Sequence, residues 1–170
     1  MKPGNNPPKS RTTKAKKSWR EKLADSKGLP KIALVTGQMT KRWGTGKMVI
    51  PAPLEVDDLM KQVPQGRVIT INEIRAFLAA RHRTKLACPI TTGIFSWIAA
   101  HAAAEAEAEG AKRITPYWRT LKTGGEINPK YPGGVEEISR RLRAEGHVVI
   151  QKGKRFLVPD YQRVLVAELR

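Results

Sequence analysis

Four consecutive residues, Pro116-Tyr117-Trp118-Arg119, set a phenol, an indole and a guanidinium side by side. Such a set can stack on a flat ring and hold an anion, but it has little reactivity of its own. A phenol with a pKa of about 10 is almost wholly protonated at neutral pH, and no base stands next to it in the sequence. Tyr117 and Trp118 fit two readings, a base-stacking surface or a pair of core aromatics. Arg119 likewise fits a phosphate contact or a guanidinium holding carbonyls around the Gly-rich segment that follows. Other reactive residues form no constellation. Cys88 is the single cysteine, which excludes an intramolecular disulfide and reads as a small buried hydrophobe. His82, His101 and His147 are too dispersed for a metal site. Gly44-Thr45-Gly46-Lys47 fails the phosphate-loop pattern, because Lys41 occupies the first glycine position and Met48 replaces Ser/Thr. No catalytic residue, metal or cofactor is expected.

The charge says what such a surface would meet. The 170 residues carry 32 Lys plus Arg against 15 Asp plus Glu, a net +17. Residues 1–50 hold 13 basic and 2 acidic side chains, or +11, leaving 19 − 13 = +6 for the rest. A balance this basic predicts attraction to a polyanion, foremost nucleic acid, weakening as salt rises. No apolar run is long enough to span a membrane, and the first residues show no secretory h-region, so the expected location is cytoplasmic, nucleoid-associated in a bacterium.

Four segments follow from composition and periodicity. Residues 1–30 read as a basic, flexible arm with Lys14, Lys16 and Lys17, in which Trp19 could dock a short helix. Residues 31–53 read as an irregular or weakly β extension. From Leu54 a helix closes at Pro64, a turn leads to a strand Arg67–Thr70, and Thr70 with Glu73 forms a capping box for a helix reaching about Arg81. A second helix starts near Thr91 or Thr92 and has an Ala/Glu-rich tail up to Gly110. A third runs Val135–Glu145 before Gly146. His147–Ile150 and Arg155–Val158 flank Lys152-Gly153-Lys154 as a hairpin with a cationic tip. The pattern predicts an α+β fold, mostly α: a winged helix-turn-helix over 54–146, with 147–170 as hairpin and tail.

Three blocks, in this order, resemble the DNA-binding domain of O6-alkylguanine-DNA alkyltransferases, the methylated-DNA–protein-cysteine methyltransferases. Val63-Pro64-Gln65-Gly66-Arg67-Val68-Ile69-Thr70 is similar to that family's Ile-Pro-x-Gly-x-Val-x-Ser/Thr segment. Ile114 to Arg119 lies over its Pro-Cys-His-Arg acceptor motif. Tyr131-Pro132-Gly133-Gly134, with Gly146 twelve residues after Gly134, is similar to its Tyr-x-Gly-Gly and closing helix. The family uses a thiolate activated through a water, a His and a Glu. The matching positions here are Tyr117, Trp118 and Ser139, and its nucleotide-rotating Tyr matches Ile71. Its gap-filling Arg falls within Trp97 to Ala100.

The resemblance thus implies the alkyltransferase-like branch, which lacks the acceptor Cys and binds damaged bases without repairing them. It gives a base pocket of Tyr117, Trp118, Arg119 and Tyr131, and no enzyme. The helix from Thr91 to His101 would enter the minor groove, with Thr70, Asn72, Thr91, Thr92 and Ser96 near the DNA although it offers no Arg or Lys. Lys14, Lys16, Lys17, Lys152, Lys154 and Arg155 would hold phosphates. The expected partner of a monomer is double-stranded DNA, with a repair protein as a further partner. The competing expectation is a winged-helix regulatory or RNA/ribosome-binding module whose alkyltransferase pocket is vestigial.

Overall fold

The computed structural model describes residues 15–170. Helix α1 (Trp19–Ala24) opens on Ser18, whose hydroxyl accepts from Glu21 N–H while the Glu21 carboxylate accepts from Ser18 N–H. Strand β1 (Lys31–Leu34), α2 (Gln38–Trp43) and β2 (Lys47–Ile50) follow. Of the two readings for residues 31–53, irregular or weakly β, the β one holds, with a short helix between the strands. The two apolar stretches pair antiparallel, Lys31 to Ile50 through Leu34 to Lys47, and β2 runs parallel to a later strand at Leu86–Ala87. Val35, Met48, Leu86 and Cys88 share a small core beneath this sheet.

Helix α3 (Pro53–Lys61) begins with proline at a position that needs no N–H, and the Glu55 carboxylate takes Ala52 N–H at 2.9 Å. Strand β3 (Ile69–Thr70) is shorter than the predicted Arg67–Thr70. Val68 instead gives its N–H to Val164 and accepts from Val166, both at 2.9 Å. Residues 147–170 are thus no free tail, since their end lies as a parallel bridge beside Val68.

Thr70 and Glu73 cap α4 (Ile71–Arg81) reciprocally. After β4 (Leu86–Ala87), helix α5 (Pro89–Ala108) runs unbroken for 20 residues, starting ahead of Thr91 because its first turn accepts Pro89. Strand β5 (Thr120–Leu121) lies parallel to β3. Helix α6 (Gly134–Ala144) stops before Gly146, whose φ of +90° suits a residue without Cβ. The hairpin is β6 (Ile150–Lys152) and β7 (Arg155–Leu157), its first strand two to three residues nearer the turn than the predicted His147–Ile150.

The architecture is mixed α+β and helix-dominated. Its core is formed by Val56, Leu59, Met60, Ile74, Leu78 and Leu142. Ala99, Ala100 and Ala103 on the inner face of α5 are buried, which lets the neighbouring helices approach closely. Trp19 ties α1 to α5: it stacks on His101 with centroids 4.5 Å apart and meets Trp97 edge-on at 4.7 Å. Among the described residues no helix is long and apolar enough to cross a membrane.

Candidate nucleic-acid interface

The tetrapeptide sits in a single 3-10 turn, Tyr117–Arg119, entered from Thr115, whose hydroxyl donates to the buried Asp57 carboxylate at 2.6 Å. Tyr117 is only 2% exposed, edge-on to Trp118 and to Tyr131. Burial pushes its hydroxyl above the usual phenol range, against the opposing Arg141 charge. Burial likewise pushes Tyr131 up to about 12, with opposing hydrogen bonds to Ser96 and Asn128. Both phenols stay protonated at neutral pH and both are buried. Of the two readings open for Tyr117 its burial favours the core one, while Tyr131, 4% exposed, lines the small cleft described below.

Trp118 and Arg119 converge on one carboxylate. Trp118 Nε1 donates to Glu145 at 2.7 Å, Arg119 donates through Nε and Nη2 at 2.8–3.0 Å, and Gly66 N–H adds a contact at 3.1 Å. Arg119 Nη1 also donates to the Val63 carbonyl at 2.6 Å, so it holds this turn rather than the Gly-rich segment. Burial pushes the Glu145 carboxyl up, but the Arg119, Trp118 and Gly66 donors outweigh it and hold the group below the usual carboxylate range. The carboxylate facing position 118 is thus Glu145. Ser139 faces inward from α6, buried and with its hydroxyl unpartnered, so its assignment to that role is corrected. Trp118 overlooks a hollow of about 270 Å³ with Gln65, Glu107, Arg140 and Arg141, whose cations are already ion-paired.

His147, next to this cluster, is buried with Nε2 unpartnered, and burial holds its pKa below the ordinary value despite the Glu145 charge. For both His147 and Glu145 the folded pKa lies below the unfolded one. Each contribution is therefore complete above the unfolded pKa and is lost as pH falls through the folded pKa. The urea midpoint should drop as pH is lowered from about 7.5 through the histidine range, then again in the carboxylate range. His147→Gln should flatten only the upper step. A midpoint independent of pH across both ranges would refute this assignment.

The open site lies elsewhere, on the outer face of α5. Ile90, Ile94, Trp97 and His101, at helical spacing, wall a cleft of about 650 Å³ closed on the other side by Asn128 and Lys130. The Lys130 carbonyl is anchored to this face by Trp97 Nε1 at 3.2 Å and contacts His101 Nε2 at 3.3 Å. A smaller cleft of about 220 Å³, with Ile71, Pro89, Ser96, Leu121, Lys122 and Tyr131, shares Gly93 and Asn128 as walls. Ile90 is 63% exposed and Ile94 is 46% exposed. Strand β7 is tied to the same loop, since Ile127 N–H donates to the Phe156 carbonyl at 2.8 Å. Strand β7, which carries Arg155, is thus fixed beside the loop that closes the cleft.

The predicted contacts divide by burial. Lys152, Lys154 and Arg155 are exposed on the hairpin, Arg155 3.9 Å from Glu126, and Asn72 and Lys16 are also exposed. Thr70 is buried as the α4 cap, Thr92 gives its hydroxyl to the Cys88 carbonyl at 2.7 Å, and Ser96 gives its own to Gly93 at 2.9 Å. These three are corrected from contacts to internal supports, because each serves the backbone of its own helix. Thr91 is half-buried with its hydroxyl 3.5 Å from the Cys88 carbonyl. Lys17 pairs with Asp25 at 2.9 Å and so offers less to a phosphate than an unpaired cation. Lys14 lies outside the described residues. Ile90, Ile94, Trp97, Asn128 and Lys130 are missing from the sequence-based set, although the 90, 94, 97, 101 spacing is legible.

No protein-family model matches the chain, and none of the curated proteins does. Among solved structures it is similar to S. pombe Atl1 in complex with damaged DNA containing O6-carboxymethylguanine, at 17% identity and a TM-score of 0.46. It is also similar to S. pombe ATL in complex with DNA, at 16% identity and a TM-score of 0.45. Each alignment covers 68% of this chain and 94% of the other.

Proposed function

We propose that this chain is a non-enzymatic winged-helix protein that binds double-stranded DNA and senses alkylated or otherwise damaged bases. The observation that carries the proposal is the outer face of α5. Two exposed isoleucines one turn apart border an aromatic-walled cleft in a chain of net charge +17. A helix that presents apolar side chains instead of Arg or Lys suits minor-groove entry, where wedges part a base step and contacts go to backbone and shape. A cleft of this size lies within the roughly 300–1,000 Å³ of small-ligand sites, so it has room for an everted base. Trp97 would stack on that base, a contact worth about 1–3 kcal/mol. Lys152, Lys154, Arg155, Lys122, Lys130 and Asn72 would meet phosphates on either side. Nothing at Tyr117 favours alkyl transfer: a buried, protonated phenol has neither the nucleophilicity of a thiolate nor access to a base.

The burial of Tyr117 also favours a second reading, a winged-helix module for regulation or for RNA or ribosomes, with the old reactive slot filled as core. Titration against matched duplexes carrying guanine or O6-methylguanine separates the two. Tighter binding of the modified duplex, with the protein mass unchanged afterwards, is the expected result. Equal affinity for both DNAs would remove damage sensing, and preference for duplex RNA would favour the second reading.

A further inference from the structure

From Ser26 to Leu54 the chain contains no carboxylate, yet it carries Lys27, Lys31, Lys41, Arg42 and Lys47. The β1–α2–β2 unit brings some of these cations towards α4 and β4. Arg75, half-buried on α4, donates from Nε to the Ala87 carbonyl at 3.3 Å. Its pKa is lowered by burial first, with Cys88 opposing that shift and the Arg42 charge adding to it. Lys85 extends past Gly44 and Gly46 to donate to the Thr45 carbonyl at 3.0 Å. Arg75 and Lys85 border a cleft of about 270 Å³ along α4, with Asn72, Ala76, Ala79 and Ala87.

Among the described residues, Lys31, Lys41, Arg42, Lys47, Arg75, Arg83 and Lys85 form no ion pair. Elsewhere Arg20, Lys61, Arg119, Arg140 and Arg141 do, although Arg67, Arg113, Lys130, Lys152 and Lys154 do not. Unpaired cations at and beside a cleft are complementary to an anion. The walls select which kind. Ala76 and Ala79 offer close approach but no aromatic ring and no side-chain donor to read a base, whereas Asn72, Arg75 and Lys85 offer donors to phosphate oxygens.

We propose, resting on the duplex-binding function above, that the cleft between α4 and β4, with Arg42, Arg75 and Lys85, is a second contact for the sugar-phosphate backbone of the bound duplex. The β1–α2–β2 unit would extend the footprint beyond α5 and the hairpin without adding sequence preference. The test measures affinity for a long unmodified duplex across a salt series, for the natural chain and for the double variant Arg42→Gln, Lys85→Gln. Both positions are exposed, so the variant should fold, which an unchanged urea midpoint would verify.

Each phosphate contact contributes a slope of about −0.9 to log affinity against log salt, so the variant's slope should be shallower by roughly 2. Its ratio of modified to unmodified duplex affinity should stay unchanged. A natural chain that binds duplex with a variant of equal slope would overturn this second contact and leave the proposed function standing. A natural chain that binds no duplex would overturn both. Protection of the natural chain, but not the variant, by inorganic phosphate alone, with equal duplex slopes, would assign the cleft to a free anion and also overturn the proposal.

Discussion

Replacing Arg119 with alanine should destabilise the fold by about 3–5 kcal/mol, the usual cost of breaking a buried ion pair from one side. Arg119 and Glu145 are 14% and 8% exposed, so water replaces the lost contacts only in part. Without the guanidinium, Glu145 keeps only Trp118 Nε1 and Gly66 N–H, and the Val63 carbonyl loses its 2.6 Å donor. Arg119→Lys should rescue little, because one ammonium cannot reproduce three N–H donors in a planar fork. The double variant Arg119→Met, Glu145→Gln should recover much of the loss, since it removes the stranded charge. Urea unfolding of the single variants Arg119→Met and Glu145→Gln beside the double variant gives the coupling directly. A loss below about 1 kcal/mol for Arg119→Ala would mean that the cluster does not hold the α6 terminus to the turn.

Elements governed by local chemistry were legible in the sequence. The Thr70–Glu73 box caps α4, and Gly146 ends α6 with a positive φ. The hairpin around Gly153 forms with its cations outward. What was not legible depended on which way a side chain faces after packing. Thr92 and Ser96 are polar and were expected outside, yet they share the inner face with Ala99 and Ala103. There they satisfy their hydroxyls on carbonyls of their own helix, which makes them compatible with burial. The outward stripe of the same helix is Ile90, Ile94, Trp97 and His101, the reverse of the polarity that folding alone favours. Such a reversal is expected where a surface serves a ligand.

The Glu145 misassignment has a similar origin. Position 145 is the residue that ends α6, beside Gly146, and its carboxylate turns back onto Trp118 and Arg119 only because β5 and α6 converge there. Linear matching to the acceptor motif suggested a concerted loss of the reactive groups. In the structure a carboxylate does face the turn, that of Glu145, held by an indole and a guanidinium. The slot is a structural joint, and the exposed apolar side chains of the cleft, Ile90 and Ile94, lie on α5.

That relocation makes the α5 stripe the second large expectation. The double truncation Ile90→Ala, Ile94→Ala should weaken duplex binding by about 2–3 kcal/mol, roughly 30- to 150-fold, if both side chains leave water on entering the base stack. Folding should be nearly unaffected, because these side chains are already in solvent, at 63% and 46% exposure. The salt slope should also be unchanged, since no phosphate contact is removed. This separates the wedge from the cationic surfaces, whose loss changes slope. Ile94→Leu, which keeps the apolar volume, should retain most of the affinity. Fluorescence or mobility-shift titration of the natural chain, the double variant and Ile94→Leu decides the matter. Equal affinity for all three would mean that α5 does not enter the duplex, and a loss shared equally by the leucine variant would point to disturbed packing instead of a missing wedge.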